Sequence, residues 1–472
     1  GGMYNRKFDN LIGITWSLIT SAKSSFRIKP GNALYSSGSP TIIPCDNDNV
    51  NPTIAYLNSP IVSYLLEAIN PTLNTTVNDI LKLPNTPVNS KITSENVSIC
   101  IDLSVNDWDS IETSWDFQQL PLLGVRCQGL GVRECYAKLR EQWIENTLKM
   151  QELEEENNRV FIEAYGLQDE LSPVVPLKEI TLTCNPYYRY GVEEVLGVSE
   201  LGVRKFPLNA ELEKRLLADT MKELISYAAG CMFGRYSLDK PGLILANQGE
   251  GLEDYLEQVL GVRGDDSGEA ALKPNTQNLK PSFMPDKDNV IPILEGEWFD
   301  DDIVNRFYTF LKVAFGTDHF SQNIGYIEEA IGKDIRTYFI KDFYNDHVKM
   351  YKKRPIYWLF SSPKGSFNAL VYMHRYTPDT ASIVLSDYLR EYVFKLKNKV
   401  AELSKIEEGG DSSQKEKIKA RKEIDKIEQI ISELEYWERD ALYPTATQKI
   451  SIDLDDGVKV NYAKFSKVLK RF

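Results

Sequence analysis

Lys23, Ser24, Ser25, Arg27 and Lys29 crowd cations and hydroxyls into one short stretch, with Trp16, Phe26 and Tyr35 close by in the chain. Ammonium, guanidinium and hydroxyl groups bind phosphate oxygens, and a guanidinium can also read a base edge. The aromatics have a second reading, as the core of a small sheet, and Trp16 fits that one best. A second basic island runs from Lys333 to Arg354, where seven basic residues oppose Asp334, Asp342 and Asp346, and it ends in Lys349, Lys352, Lys353 and Arg354. For each island a solvated surface competes with phosphate contact. The whole chain carries a net charge of -13, which argues against coating nucleic acid by bulk electrostatics and puts weight on local charge.

Other chemistry is poorly supported. The six cysteines are scattered without a C-x-x-C pair and there are three histidines, so a structural zinc site is not expected. His319, His347 and His374 lack an acid or a nucleophile at a recognised spacing, which ranks an independent enzyme low. The sequence shows neither a signal peptide nor an apolar run of spanning length, so cytoplasmic residence without a membrane partner is the expectation.

The elements that must position these groups are legible in outline. Residues 10 to 43 alternate β-branched runs with serine, glycine and proline punctuation and read as short strands. Ala55 to Pro84 reads as a helix with Asn58 or Ser59 as cap, Pro60 in its first turn and Asn70-Pro71 as its stop. Ile61, Tyr64, Leu65, Ala68 and Ile69 recur on one face, predicted to be buried. A polar connector follows Pro84, then short elements carrying Trp108 and Trp115. Val132 to Tyr165 reads as an exposed spacer helix closed by Gly166. Residues 209 to 260 are helical, with Gly230 and Gly234 permitting close packing, and Gly261 to Pro292 reads as a mobile loop. Glu297 to Lys352 is helical again, and Arg354 to Tyr376 reads as a β-hairpin. Residues 384 to 442 form a helical hairpin broken at EEGGDSS, and the ending alternates like strands around Asp456-Gly457.

Several of these stretches resemble one family. Y-L-N-S-P, an apolar helix, N-P-T-x-N and D-I-x-x-L-P, between Tyr56 and Pro84, are similar to the end of the target-recognition domain of adenine-specific DNA methyltransferases. E-x-N-x-x-F-I-x-A-Y-G-L-x-x-E, ending at Glu170, resembles a spacer in such enzymes from restriction and phage-defence systems. G-C-M-F-G-R-Y-S-L-D from Gly230, the Arg354 to Tyr376 stretch and D-D-G-V-K-V-N-Y from Asp455 resemble the C-terminal part of the PglX family of BREX phage-defence methyltransferases.

The resemblance implies an α+β, multidomain chain: a small β-rich target-recognition domain (1-125), a spacer helix (126-172), a mainly helical domain (173-350) and a C-terminal α+β domain (351-472) containing the helical hairpin. It implies a parent that transfers a methyl group from S-adenosylmethionine to adenine N6, with double-stranded DNA, the parent's own methyltransferase domain and other BREX proteins as partners. Lys23, Ser24, Ser25, Arg27 and Lys29 become the expected DNA contacts, and Lys349, Lys352, Lys353 and Arg354 a second basic patch. Adenine methyltransferases carry N-P-P-Y, whose asparagine accepts a hydrogen bond from the target amino group. Asn185-Pro186-Tyr187-Tyr188 lacks the second proline, and no glycine-rich cofactor turn precedes it. It reads as a turn, the segment as non-catalytic and free of cofactor, and the transfer chemistry as lying upstream of Gly1. The rival from another class is an interaction scaffold that docks other defence-complex subunits.

Overall fold

The computed structural model describes residues 8, 10–21, 23–34, 36–84, 90–124, 129–193, 205–261, 280–409 and 413–472. Arg6, Lys7 and Tyr35, the turn within EEGGDSS and most of the loop predicted after Gly261 lie outside them. The chain forms two compact units, one from Gly1–Trp108 with Arg140–Glu213 and the other from Asp109–Leu139 with Lys214–Phe472. The architecture is α+β: two small sheets in a mainly helical chain.

In the first unit, strands β1 (Gly13–Thr15), β2 (Arg27–Lys29) and β3 (Thr41–Ile42) form an antiparallel sheet in the order β2-β1-β3, with Ile14 opposite both Ile28 and Ile42. Ile14, Trp16 and Phe26 join Ile54, Leu57, Ile61, Val62, Leu66, Phe161 and Ile162 in one core. Two helices, Val50–Leu57 and Pro60–Ile69, are joined at Asn58 and Ser59. Pro60 does start the second helix, but neither Asn58 nor Ser59 gives it a side-chain cap. Ser59 Oγ donates to the Tyr56 carbonyl instead. The predicted face is also rotated. Ile61, Val62 and Leu66 are buried, Ala68 is exposed, and Tyr64 is 45% exposed with its hydroxyl donating to Glu170. On a helix this apolar throughout, periodicity selects a face only loosely, and packing against β1 and β2 decides it.

The connector predicted after Pro84 is, from Ser90, a helix reaching Asp109. Its polar residues bond across the unit: Asn96 Nδ2 donates to Glu156 and Asn157, and the Asp107 carboxylate accepts from the backbone N–H groups of Thr183 and Cys184. The helix Val132–Tyr165 has the predicted bounds but is not an exposed spacer. In its polar stretch Gln151, Glu155 and Asn157 are buried. Gln151 Nε2 donates to the Val175 carbonyl and Glu155 accepts from the Val175 N–H. These hydrogen bonds let the polar side chains face inward, although Gln151 Oε1 is buried without a partner among the described residues.

In the second unit, β4 (Val290–Pro292), β5 (Tyr357–Ser361) and β6 (Asn368–Tyr372) form an antiparallel sheet in the order β4-β6-β5. The predicted hairpin is therefore present, and β4 lies where the loop to Pro292 was expected. Both faces are covered. Trp358, Phe360, Ala369 and Val371 pack on the helical hairpin Arg390–Glu408 and Gln414–Trp437 through Tyr392, Leu396, Ile427 and Trp437. On the other face the Tyr357 ring stacks 5.2 Å from Phe233 of the helix Ala210–Phe233. That helix needs Gly230, since a Cβ there would meet Tyr236 at 2.3 Å.

The ending is helical from Gly457 to Lys464, not a second hairpin. Asn461 is its buried residue, and beyond it Phe465, Val468 and Leu469 are buried, with the Val468 carbonyl accepting from the Ser361 N–H of β5. The alternating valines Val458 and Val460 stay outside the core.

Candidate nucleic-acid interface

The basic segment of the first unit is held by groups distant in sequence. Both amide atoms of Asn58 bond the backbone of Phe26, Nδ2 donating to its carbonyl and Oδ1 accepting from its N–H, each at 2.9 Å. Ser24 Oγ shares a 2.8 Å hydrogen bond with Thr75 Oγ1, and Trp16 Nε1 donates to the Thr75 carbonyl at 2.8 Å. Asn58 and Thr75 thus fix the segment on both sides, and sequence reading missed them in this role. The Y-L-N-S-P string was the available signal, but partners 32 and 51 residues apart leave no local pattern.

The five predicted contacts separate into three kinds. Arg27 opens β2 and is exposed, and its guanidinium has no hydrogen-bond or ion-pair partner among the described residues; Ser25 is exposed as well. Lys23 is exposed and lies 3.2 Å from Glu179, a surface pair of the sort worth about 0–1 kcal/mol and readily exchanged for another anion. Ser24 is half-buried and already bonded. Lys29 corrects the expectation: it is only 3% exposed, and its ammonium donates to the carbonyls of Leu11 and Pro30. Its register partner is Gly13. Buried with its donors engaged, Lys29 is a structural cation and is not presented to a ligand.

In the second unit Lys349 lies on the last turn of the helix Tyr344–Met350, and Lys352, Lys353 and Arg354 follow. All four are exposed, and none has a side-chain partner among the described residues. Lys352 and Lys353 both take left-handed backbone angles, φ 50° and 63°. Two further members of the second island are tied up, Arg336 binding Asp302 through two nitrogens and Lys333 binding Asp342, while Lys341 is exposed.

Asn185 is fully buried at the start of the short helix Pro186–Tyr190. Its Oδ1 accepts from the Tyr187 N–H, and Nδ2 donates to the carbonyls of Leu177 and Ile180. With the amide committed at both ends and sealed from solvent, Asn185 as folded does not fit the part of an acceptor for an adenine amino group. The histidine His347 is likewise structural. His347 Nε2 accepts from the N–H groups of Ile356 and Tyr357, and burial, then the nearby Arg235 charge, pushes its pKa down to about 3. His374 is pushed down to about 4 by the same two causes in the same order. Among the described residues no group of three or more His, Cys, Asp or Glu side chains is placed to hold a metal ion, and no helix is long and apolar enough to cross a membrane.

No family model matches the chain. Two curated proteins do, over nearly its whole length. The adenine-specific methyltransferase BrxX of Escherichia coli O9:H4 (strain HS) is 32% identical over 473 residues, covering 97% of this chain and 36% of that protein. The adenine-specific methyltransferase PglX of Lacticaseibacillus casei (strain Zhang) is 32% identical over 475 residues, covering 98% and 35%. The chain is thus homologous to part of an adenine-specific methyltransferase, and spans about a third of the length of the curated relatives it matches. Within that class its similarity is to BrxX and PglX proteins, in line with the resemblance carried by its hairpin and C-terminal motifs.

Proposed function

We propose that the chain supplies DNA target recognition to a BREX-type, adenine-N6-specific DNA methyltransferase that uses S-adenosylmethionine, and that the methyl transfer itself is carried out by other parts of the parent. One observation carries the DNA assignment: Arg27 stands exposed and, among the described residues, unpartnered at the head of β2, between exposed Ser25 and a core that fixes the strand. A rigid backbone presenting a free guanidinium fits base-edge reading, while Lys23 beside it fits a phosphate. The locked amide of Asn185 supports placing the transfer chemistry elsewhere.

The test is duplex binding by this chain at several salt concentrations, on sequences selected from a random pool and on scrambled controls. Arg27→Ala should cost about 1–3 kcal/mol on selected duplexes and relax preference at one position. Lys23→Ala should weaken binding evenly and lower the salt slope by about one. If both variants bind duplex like the unmodified chain while loss of Lys349, Lys352 and Lys353 abolishes it, recognition does not reside in the first unit.

A further inference from the structure

Trp115 is 96% exposed, so both faces of its indole ring are open to solvent. It sits in a tight turn: the Ser114 N–H donates to the Ile111 carbonyl, Ser114 Oγ to Asp109, and the Asp116 N–H to Ser114 Oγ. Inside this turn Glu112 is buried and accepts from Ser226 Oγ at 2.6 Å and from Tyr351 Oη at 3.0 Å. Tyr351 immediately precedes Lys352, Lys353 and Arg354. One buried carboxylate therefore pins the tryptophan turn to the basic turn, and at most about 10 Å of chain separates Trp115 from that anchor.

The basic turn has its own peculiarity. Left-handed angles cost an ordinary residue about 1–2 kcal/mol, and Asn or Gly would take them with less strain. Here two exposed lysines in a row take them, next to Lys349 and Arg354, and none of the four engages a carboxylate among the described residues. The acidic groups of the turn that holds Trp115 are Glu112, bonded to Ser226 and Tyr351, Asp109, held by Ser114, and exposed Asp116. Four free cations and a bare indole, tied to one another through Glu112 and Tyr351, have the composition of a site for a nucleic-acid strand: charge for successive phosphates and a ring for a base. A protein partner would need acidic groups to match all four cations.

We propose that the second unit carries a separate contact for single-stranded nucleic acid, in which Trp115 stacks on an unpaired base and Lys349, Lys352, Lys353 and Arg354 hold the flanking phosphates. The site is additional to the duplex reading assigned to Arg27 and does not depend on it. Its probes are a short oligothymidylate, the same length of abasic strand, and a duplex. The oligothymidylate should quench tryptophan emission in the unmodified chain, and Trp115→Phe should remove that quench. Trp115→Ala should weaken oligothymidylate binding about tenfold or more and leave the abasic strand unaffected. Lys352→Ala with Lys353→Ala should weaken both, with the salt slope falling by about 0.7 for each phosphate no longer neutralised. The double arginine replacement should restore binding, and Arg27→Ala should leave single-strand affinity alone. The proposal is overturned if Trp115→Ala binds oligothymidylate as the unmodified chain does, or if the abasic strand binds equally tightly. It is also overturned if neither strand binds and Trp115 is instead covered by the remainder of the parent polypeptide.

Discussion

Arg27 and Lys29 are two residues apart on one strand and have opposite fates, one free in solvent and one buried with its charge engaged by carbonyls. Lys29→Met should cost about 1–3 kcal/mol in denaturant unfolding, because the Leu11 and Pro30 carbonyls lose their donor, whereas Arg27→Ala should stay within about 0.5 kcal/mol. Equal effects would mean that Lys29 is not buried as described. A second residue-scale expectation concerns Asp286. Burial, and then the charge of Asp288, raises its pKa to about 7, against a weaker opposing pull from Arg306. The folded chain therefore keeps a proton that the unfolded chain gives up near pH 4, and this contribution to stability is lost as pH rises through about 7. Asp286→Asn should stabilise at pH 8 more than at pH 5. Glu154 in the first unit, also raised to about 7 by burial and then by Glu179 and Glu155, adds a slope of the same sign, so the comparison must be made variant by variant.

At the scale of elements, the helix Pro60–Ile69 is held through Ile61, Val62 and Leu66. Leu66→Ala should cost about 2–5 kcal/mol, and Tyr64→Ala, which loses only an exposed bond to Glu170, far less. A reversal of that order would restore the face that periodicity selected. The packing of Gly230 against Tyr236 sets a harder limit: Gly230→Ala forces a methyl group into the ring and should destabilise the second unit by about 1–3 kcal/mol or more. Thermal unfolding of each variant, followed by circular dichroism, reads both.

For the whole molecule, the proposal that transfer chemistry lies elsewhere predicts that this chain, given labelled S-adenosylmethionine and adenine-containing duplex, incorporates no label above background. Incorporation that vanishes with Asn185→Ala would overturn it and would require the buried amide to open. The polypeptide's homology to about a third of its relatives' length makes the complementary experiment direct: the full-length parent, carrying Arg27→Ala, should methylate with altered site preference while its transfer rate on any accepted site is preserved.

Strong local signals were enough for much of this. The helix Val132–Tyr165, the hairpin of β5 and β6 and the paired helices Arg390–Glu408 and Gln414–Trp437 follow from periodicity, β-branched runs and glycine breaks acting within a few residues. The family was legible in short strings such as those around Gly230 and Pro355. Tertiary structure alone decided which face of Pro60–Ile69 is buried, that the run after Pro84 becomes a helix from Ser90, and that Asp456-Gly457 opens a helix. It also decided that Lys29 turns inward while Arg27 and Trp115 do not. The physical reason is common to all of them. Periodicity reports which residues are able to be buried, whereas burial depends on partners such as Leu11, Asn58, Thr75 and Glu112, supplied from elsewhere in the chain, that satisfy or fail to satisfy each polar group.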